Sequence, residues 1–340
     1  MKLVVYGPQR RLGVLDGTHI VDANGAYAKL AHEKNGEPLP YQLASAMAPA
    51  NLLDFIKAGK RAIDNAHAAV EHVSRAGDKG IEGEQLVFAV GDVKLHAPMA
   101  HSGIRLLMAA GNYADHAMGI NANRRHKAIT VEEAYRDNRA RGSVGFWKLG
   151  QHVVGPDEDV IYPARTHLLD YECEIDIVVG KPVKDMPAGK SKDYIWGYTL
   201  VNDWSCRDPQ KDGAGSLTLS ISKNFDSSAS MGPCILVDES VDPQNIPFGT
   251  RVNGEVRQDG NTKDMIFSFD EFLEYGTRDM TFMPGDMISA GTCAGTANDS
   301  SQWDEAGKEP LDDKFLKPGD VVEIYSPLIG TLRNRIVAKA

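Results

Sequence analysis

Between residues 170 and 180 the chain alternates with the two-residue period of a β-strand. Tyr171, Cys173, Ile175 and Ile177 fall on one face, and Asp170, Glu172, Glu174 and Asp176 on the other. Same-face neighbours on a strand lie about 6.5–7 Å apart, so these carboxylates repel one another and need water or a cation to neutralise them. A second apolar run, 194–201, ends in Asn202-Asp203, which sets another carboxylate at the end of a buried strand. The apolar flank formed by Ile175, Ile177, Val178 and Val179, together with this downstream acid, favours a hard divalent cation over a solvated acidic face.

The rest of the chain reads as short strands with a few helices. Residues 3–6, 12–15 and 20–22 predict strands, and Asp16-Gly17 between the last two is a hairpin turn. Residues 51–74 predict one helix, with Asn51 at its N-cap and Leu52, Phe55, Ile56, Ile63, Val70 and Val73 on its apolar stripe. His67 and His72 on it read as surface residues, and Gly77 to Gly80 ends it. The apolar run 104–110 leads into Gly111-Asn112-Tyr113-Ala114-Asp115-His116, and Thr130 reads as the N-cap of a following helix. Residues 268–275 predict a short helix with Phe269, Phe272 and Leu273 inward. Pro284-Gly285-Asp286 and Pro318-Gly319-Asp320 are matching turns that each launch a strand. The polar run 298–313 reads as an insertion that either caps a site or is solvated. The pattern as a whole predicts an α+β, β-rich protein. It divides into a small N-terminal α+β domain over 1–95, without visible chemistry, and a larger domain over 100–340.

Composition narrows the function classes. The 340 residues are 42% hydrophobic and 25% charged, ordinary for a globular protein, and long enough for two domains. A formal net charge of −10 argues against nucleic acid as the main partner. Cys173, Cys206, Cys234 and Cys293 are scattered and read as reduced thiols. The N-terminus breaks too early for a signal-peptide core, and no apolar run spans a bilayer, so a cytoplasmic protein without a membrane partner is expected.

The chemistry-bearing residues come in an ordered set. Glu172 and Glu174 are followed by Gly197-Tyr198, Asn202-Asp203, Arg207-Asp208 and Gln210. Lys223, Phe225-Asp226 and Met231-Gly232-Pro233 come next, then Asn253-Gly254-Glu255, Gly291-Thr292 and Gly330-Thr331-Leu332-Arg333-Asn334. This order resembles the fumarylacetoacetate hydrolase family over roughly residues 100–340, and the set is far more specific than any one motif. The resemblance implies a mixed β-sandwich roll as the catalytic domain, a homodimer, and Mg²⁺ or Mn²⁺ bound by Glu172, Glu174 and Asp203. It implies His116 as the base. Arg207, Gln210 and Lys223 follow as catalytic groups, and Tyr113, Lys148, Arg207, Gln210, Gly291 and Thr292 as substrate contacts.

One position departs from the family pattern. Many relatives carry a glutamate three residues after the histidine, where this chain has Gly119. His116 then acts alone or with another acid from the polar stretch 121–141, where Glu132 or Glu133 on the following helix is the candidate to fold back over the site when substrate binds. His126 and its neighbours Arg124, Arg125 and Lys127 read as a solvated turn. A divalent cation with open positions polarises a 2-oxo acid or 1,3-diketone and stabilises its enolate. The first expectation is a hydrolase of C–C bonds in acylpyruvate- or diketo-acid-like small molecules. The alternative is an isomerase or decarboxylase of 2-oxo acids on the same scaffold, which Gly119 strengthens.

Overall fold

The computed structural model describes residues 1–100, 103–208, 218–312 and 314–339. Among these, a twelve-stranded sheet runs through the whole protein. From one edge its order is Val87–Ala89, His19–Asp22, Arg11–Asp16, Lys2–Tyr6, Ala229–Leu236, Ile195–Asp203, Cys173–Val179, Met287–Ser289, Arg105–Ala109 and Gly145–Leu149. Leu95–His96 pairs with Lys2–Tyr6, and Val153–Val154 with Ala229–Leu236. A second sheet of five strands runs Glu255–Asn261, Pro247–Val252, Val321–Ser326, Gly330–Val337, Asp159–Ile161.

The two sheets pack face to face, and the alternating pattern explains how. Cys173, Ile175 and Ile177 meet Phe248, Ile324 and Leu332 in one core between the sheets. Val178, Val201, Met231 and Met287 face the other way, against Leu52, Phe55 and Ile56 of a helical layer. The strand Cys173–Val179 is therefore buried on both faces, and its acidic face is enclosed rather than solvated. This is the β-rich α+β architecture that the pattern implied, with a β-sandwich at its centre.

The N-terminal strands are not set apart from this sheet. Lys2 and Leu3 pair with Leu236 and Ile235, so the first residues extend the central sheet across the boundary expected near residue 95. The helical part departs from expectation in two places. The single helix read over 51–74 is two, Leu52–Ala58 and Lys60–Ala76, because Gly59 adopts φ +66°, ψ −148°. Only glycine takes that conformation readily. Helices at Ala23–Asn35 and Pro40–Met47 were not foreseen. Residues 23–31 are all buried, so the first has no polar side in its N-terminal half to produce a 3.6-residue alternation.

No helix among the described residues is long and apolar enough to cross a membrane.

Candidate active site and metal centre

The antiparallel pairing of Cys173–Val179 with Ile195–Asp203 assembles the acids. Cys173 stands opposite Asn202, and the Asp203 N–H donates to the Glu172 carbonyl at 2.9 Å, so Asp203 lies across from Glu172. The Asn202 side chain accepts from the Glu172 N–H at 3.0 Å and fixes that corner. Carboxylate oxygens of Glu172, Glu174 and Asp203 all lie within 4.8 Å of one another, and all three residues are buried.

Cations hold part of this charge. The Arg207 guanidinium grips Glu172 through one nitrogen and Asp170 through Nε at 3.0 Å. The Lys223 ammonium bridges Glu172 and Asp203, the latter at 2.6 Å. Lys148, fully enclosed, meets the other Asp203 oxygen at 2.5 Å. Burial works against the Glu172 anion, but Arg207, Lys223 and His116 outweigh it and hold its carboxyl far below the usual range. Glu174 is different. Burial, then Asp203, Glu172 and Asp176, push its pKa well up, and among the described residues its one side-chain hydrogen bond comes from the Ser289 hydroxyl.

That imbalance is the test for a metal. Glu174 lacks a cationic partner among the described residues, yet its carboxyl faces two further buried carboxylates. Three oxygen donors, without sulfur or imidazole among them, fit a hard divalent cation such as Mg²⁺ or Mn²⁺.

His116 sits beside this cluster, on the short helix Ala114–Gly119. Its Nε2 is 3.9 Å from a Glu172 oxygen. Its Nδ1 lies 2.5 Å from Asp299 Oδ2, with both residues buried. Burial disfavours the imidazolium, but the Asp299 hydrogen bond and charge, with Glu172 behind them, raise its pKa overall. Neither acid of the following helix stands beside His116. Glu132 is exposed, and Glu133 is consumed in the capping box with Thr130 that starts the helix Val131–Arg141.

The acid comes instead from the polar run 298–313, and Gly119 is the reason it fits. A Cβ at 119 would meet Asp299 Cβ at 2.9 Å and the Asp299 carbonyl oxygen at 3.0 Å. Asp299 stands in space that a side chain at 119 would occupy. Arg124 secures the same loop, which the solvated-turn reading missed. Its guanidinium donates to Asn298 Oδ1 at 2.6 Å, Gly307 O at 3.1 Å and Arg207 O at 3.0 Å. It also stacks 4.1 Å from the Trp303 ring centroid. Burial and nearby Arg207 bring its pKa down to about 10. His126 is exposed, and its Nε2 meets the Asp304 carbonyl at 2.6 Å.

A cavity of about 380 Å³ opens over this cluster. Glu172, Glu174, His116, Arg207, Lys223 and Thr292 line its inner end, so six of the expected site residues meet there. Lys148 lies beneath Asp203 rather than on the wall. Gly291 is one step behind Thr292, its N–H donating to Ser289 Oγ at 2.8 Å. Tyr113 is turned into the core, edge-on to Phe248 at 5.9 Å between ring centroids, and does not reach the cavity. Gln210 lies outside the described residues.

Two acids escaped the sequence reading as site residues. Asp299 had no local signal, because its partner is 183 residues away. Asp170 was visible as part of the acidic face. Its carboxylate orients Arg207 and accepts the Ala297 and Asn298 N–H groups at 2.7 and 3.2 Å.

Comparison with known proteins gives this arrangement relatives. Oxaloacetate tautomerase YisK of Bacillus subtilis (strain 168) is 32% identical over 291 residues, covering 85% of this chain and 87% of that protein. The solved fumarylacetoacetate hydrolase of Exiguobacterium antarcticum superposes over all of both chains, with a TM-score of 0.69 and 25% identity. A maleylpyruvate hydrolase of Sphingobium sp. SYK-6, solved with manganese(II) and pyruvate, has the same fold over both full chains, with a TM-score of 0.67 and 21% identity. Residues 106–337, the part that carries every residue of the acidic cluster, match the model of the fumarylacetoacetate (FAA) hydrolase C-terminal family, and the chain belongs to that family.

Proposed function

We propose that this chain is a divalent-metal-dependent enzyme that interconverts the keto and enol forms of a 2-oxo acid. The observation that carries this reading is the buried His116–Asp299 pair, whose second imidazole nitrogen faces Glu172 at 3.9 Å. The relative named as an oxaloacetate tautomerase, matched over most of both chains, supports it.

Glu172, Glu174 and Asp203 would hold the ion, Mg²⁺ or Mn²⁺. Bound there, it would supply Lewis-acid polarisation of a 2-oxo acid. Asp299 accepts the Nδ1–H of His116, which fixes the tautomer and leaves Nε2 free as a base toward the cavity. Nε2 takes the proton from the carbon beside the 2-oxo group and delivers it to the 2-oxo oxygen, which gives the neutral enol, and the reverse path carries the proton from that oxygen back to carbon. Lys223 and Arg207 face the same space and offset negative charge as it develops on the 2-oxo oxygen. Lys148 and Asp170 act one layer behind, holding Asp203 and Arg207 in place.

A second reading is C–C hydrolysis of an acylpyruvate or diketo acid, with His116 activating water instead. Its favouring observation is that Asp299 supplies His116 with the acid that Gly119 lacks. Decarboxylation of a 2-oxo acid would share the same charge stabilisation.

The test is purified protein with Mg²⁺ or Mn²⁺ on oxaloacetate, following decay of the enol band and release of CO₂, and on acylpyruvates, following pyruvate release. Accelerated enol–keto exchange that H116A abolishes supports the first reading. Pyruvate release without such exchange makes the hydrolase the better one. Exchange at the uncatalysed rate overturns tautomerisation. We also propose a homodimer through the β-rich part, on the family resemblance; a light-scattering mass of one chain at micromolar concentration overturns it.

A further inference from the structure

The second sheet reaches the site through one side chain. The strand Glu255–Asn261 forms an edge of that sheet, and Gln258, 1% exposed, is its one buried residue. A buried carboxamide is costly unless its hydrogen-bonding groups are used, and here all of them are. Its Oε1 accepts from the Cys173 N–H at 3.1 Å and from the Thr250 hydroxyl at 2.7 Å. Its Nε2 donates to Thr292 Oγ1 at 2.8 Å and to the Cys293 carbonyl at 2.9 Å. Cys173 stands between Glu172 and Glu174 in the chain, and Thr292 lines the cavity. We propose that Gln258 is a positioning residue: it holds the turn 291–293 against the strand that carries the acids, and so sets the wall on which the substrate rests. This rests on reading the cavity as the 2-oxo acid site.

The need for it follows from the large sheet. Met287–Ser289 pairs with the acidic strand, Ser289 opposite Asp176, and one further bond runs from the Ala290 N–H to the Ile175 carbonyl at 2.8 Å. At Gly291, with φ +78°, the chain leaves that ladder and turns to the cavity wall, where Thr292 stands. Cys173 is the next residue whose main-chain groups point to that side. Side chains take over both of its bonds. Gln258 accepts from the Cys173 N–H, and the Thr292 hydroxyl donates to the Cys173 carbonyl at 2.9 Å. The Thr292 hydroxyl therefore spends its hydrogen on the acidic strand while it accepts from Gln258, so it serves the wall rather than the ligand.

The turn also lies close against the second sheet. Gly260 is two residues beyond Gln258 on the same strand, and a Cβ there would meet Cys293 Sγ at 2.5 Å. The bare backbone at 260 lets Cys293 settle onto the strand, within reach of the Gln258 carboxamide. The acids have holds of their own. Asn202 fixes the Glu172 N–H, the Asp203 N–H bonds the Glu172 carbonyl, and the Ser289 hydroxyl meets Glu174. Loss of Gln258 should therefore disturb the wall more than the metal ligands.

The experiment separates wall from metal. Calorimetry on the full chain measures the affinity for Mg²⁺ alone and for pyruvate at saturating Mg²⁺, beside enol–keto exchange on oxaloacetate. The proteins are wild type, Q258M, T292V, T292S and the double variant Q258M/T292V. Q258M should weaken pyruvate binding about ten-fold, the scale of one or two lost hydrogen bonds, and Mg²⁺ binding by less than about three-fold. T292V, of the same shape without the hydroxyl, should match Q258M, and T292S should match wild type. In the double variant the two losses should not multiply, because both residues act through one network. Unchanged pyruvate affinity in Q258M, or equal losses of pyruvate and Mg²⁺ binding, overturns the inference. So do losses that multiply, which would mean that the hydroxyl touches the ligand directly. If Q258M does not fold, T292V and T292S decide, and equal pyruvate affinity in those two overturns the inference. A wild type that binds pyruvate but leaves exchange at the uncatalysed rate overturns the proposed function and not this inference. A wild type that accelerates exchange but binds no pyruvate overturns this inference alone.

Discussion

Two regions of this protein bury carboxylates beside arginines, and they do it to different ends. In the N-terminal hairpin, Asp22 receives two bonds from Arg11, at 2.5 and 2.8 Å, one from the Tyr6 hydroxyl at 2.6 Å and one from the Gly25 N–H at 2.7 Å. A single anion meets a single cation, and every acceptor is used. Over the sandwich, six carboxyls, from Asp170, Glu172, Glu174, Asp176, Asp203 and Asp299, share Arg207, Lys148, Lys223 and the imidazole of His116. There the balance does not close. Among the described residues Glu174 has only a hydroxyl, and neither oxygen of Asp176 has a hydrogen-bond partner. A satisfied buried pair serves the fold, whereas an unbalanced one marks a place that awaits a ligand or works on one.

The largest expected effect tests that contrast directly. E174Q should remove metal-dependent activity by about 10³-fold or more, as expected when Lewis-acid stabilisation of several kcal/mol is lost. It should also abolish any rise of Tm on adding Mg²⁺. D22N should do the reverse. It should leave metal response intact but destabilise the fold by about 2 kcal/mol, because it weakens a helix cap and leaves Arg11, which is 34% exposed and so partly screened, without its anion. If E174Q retains a full Mg²⁺-induced Tm shift, the contrast between the regions fails.

Next comes the proton-transfer pair. H116A should cut kcat by about 10²–10⁴-fold while metal affinity, read by titration calorimetry, stays nearly constant. D299N should also lower kcat strongly. The sign of its pH effect follows from the raised His116 pKa. Removing the Asp299 anion lowers that pKa, so the base form persists to lower pH, and the acid limb of the kcat profile should move down. An unmoved acid limb would reject Asp299 as the group that tunes His116.

A smaller change is expected at Gly119. G119A should push Asp299 by a few tenths of an ångström and lower kcat about ten-fold with little change in KM, since the shift disturbs orientation rather than binding. Unaltered kcat would show that the 119–299 contact has no influence on the base.

The smallest effect concerns Asp176, whose pKa is pushed well up by burial and by Asp203. A group raised on folding adds stability below its unfolded pKa and loses it as pH rises through the folded value. Wild type should therefore lose stability relative to D176N as pH increases, in urea titrations without divalent metal. Curves that stay parallel across pH would place the Asp176 carboxyl in contact with water.

Much of this site was legible before any fold was known. The two-residue alternation at 170–177 separated the acids from the core-facing residues, and the order of Glu172, Glu174, Asp203, Arg207 and Lys223 carried the family resemblance. Local pattern was enough there because strand pairing converts sequence spacing directly into spatial spacing. The helix Ala23–Asn35 was not legible, because alanines buried on every side leave no amphipathic trace. Nor was the direction of Tyr113, which follows the core around Phe248 rather than the neighbouring motif.

Asp299 marks the boundary between the two kinds of knowledge. The sequence alone determined that His116 lacks an acid at position 119 and that a polar loop follows Gly295. Only the tertiary structure decided that this loop, held by Arg124 and Trp303, returns its carboxylate to the imidazole. The physical reason is that hydrogen bonds are made in space. A contact across 183 residues leaves no periodicity in the chain, and the missing side chain at Gly119 acquires its meaning only when the atoms that fill its place are known.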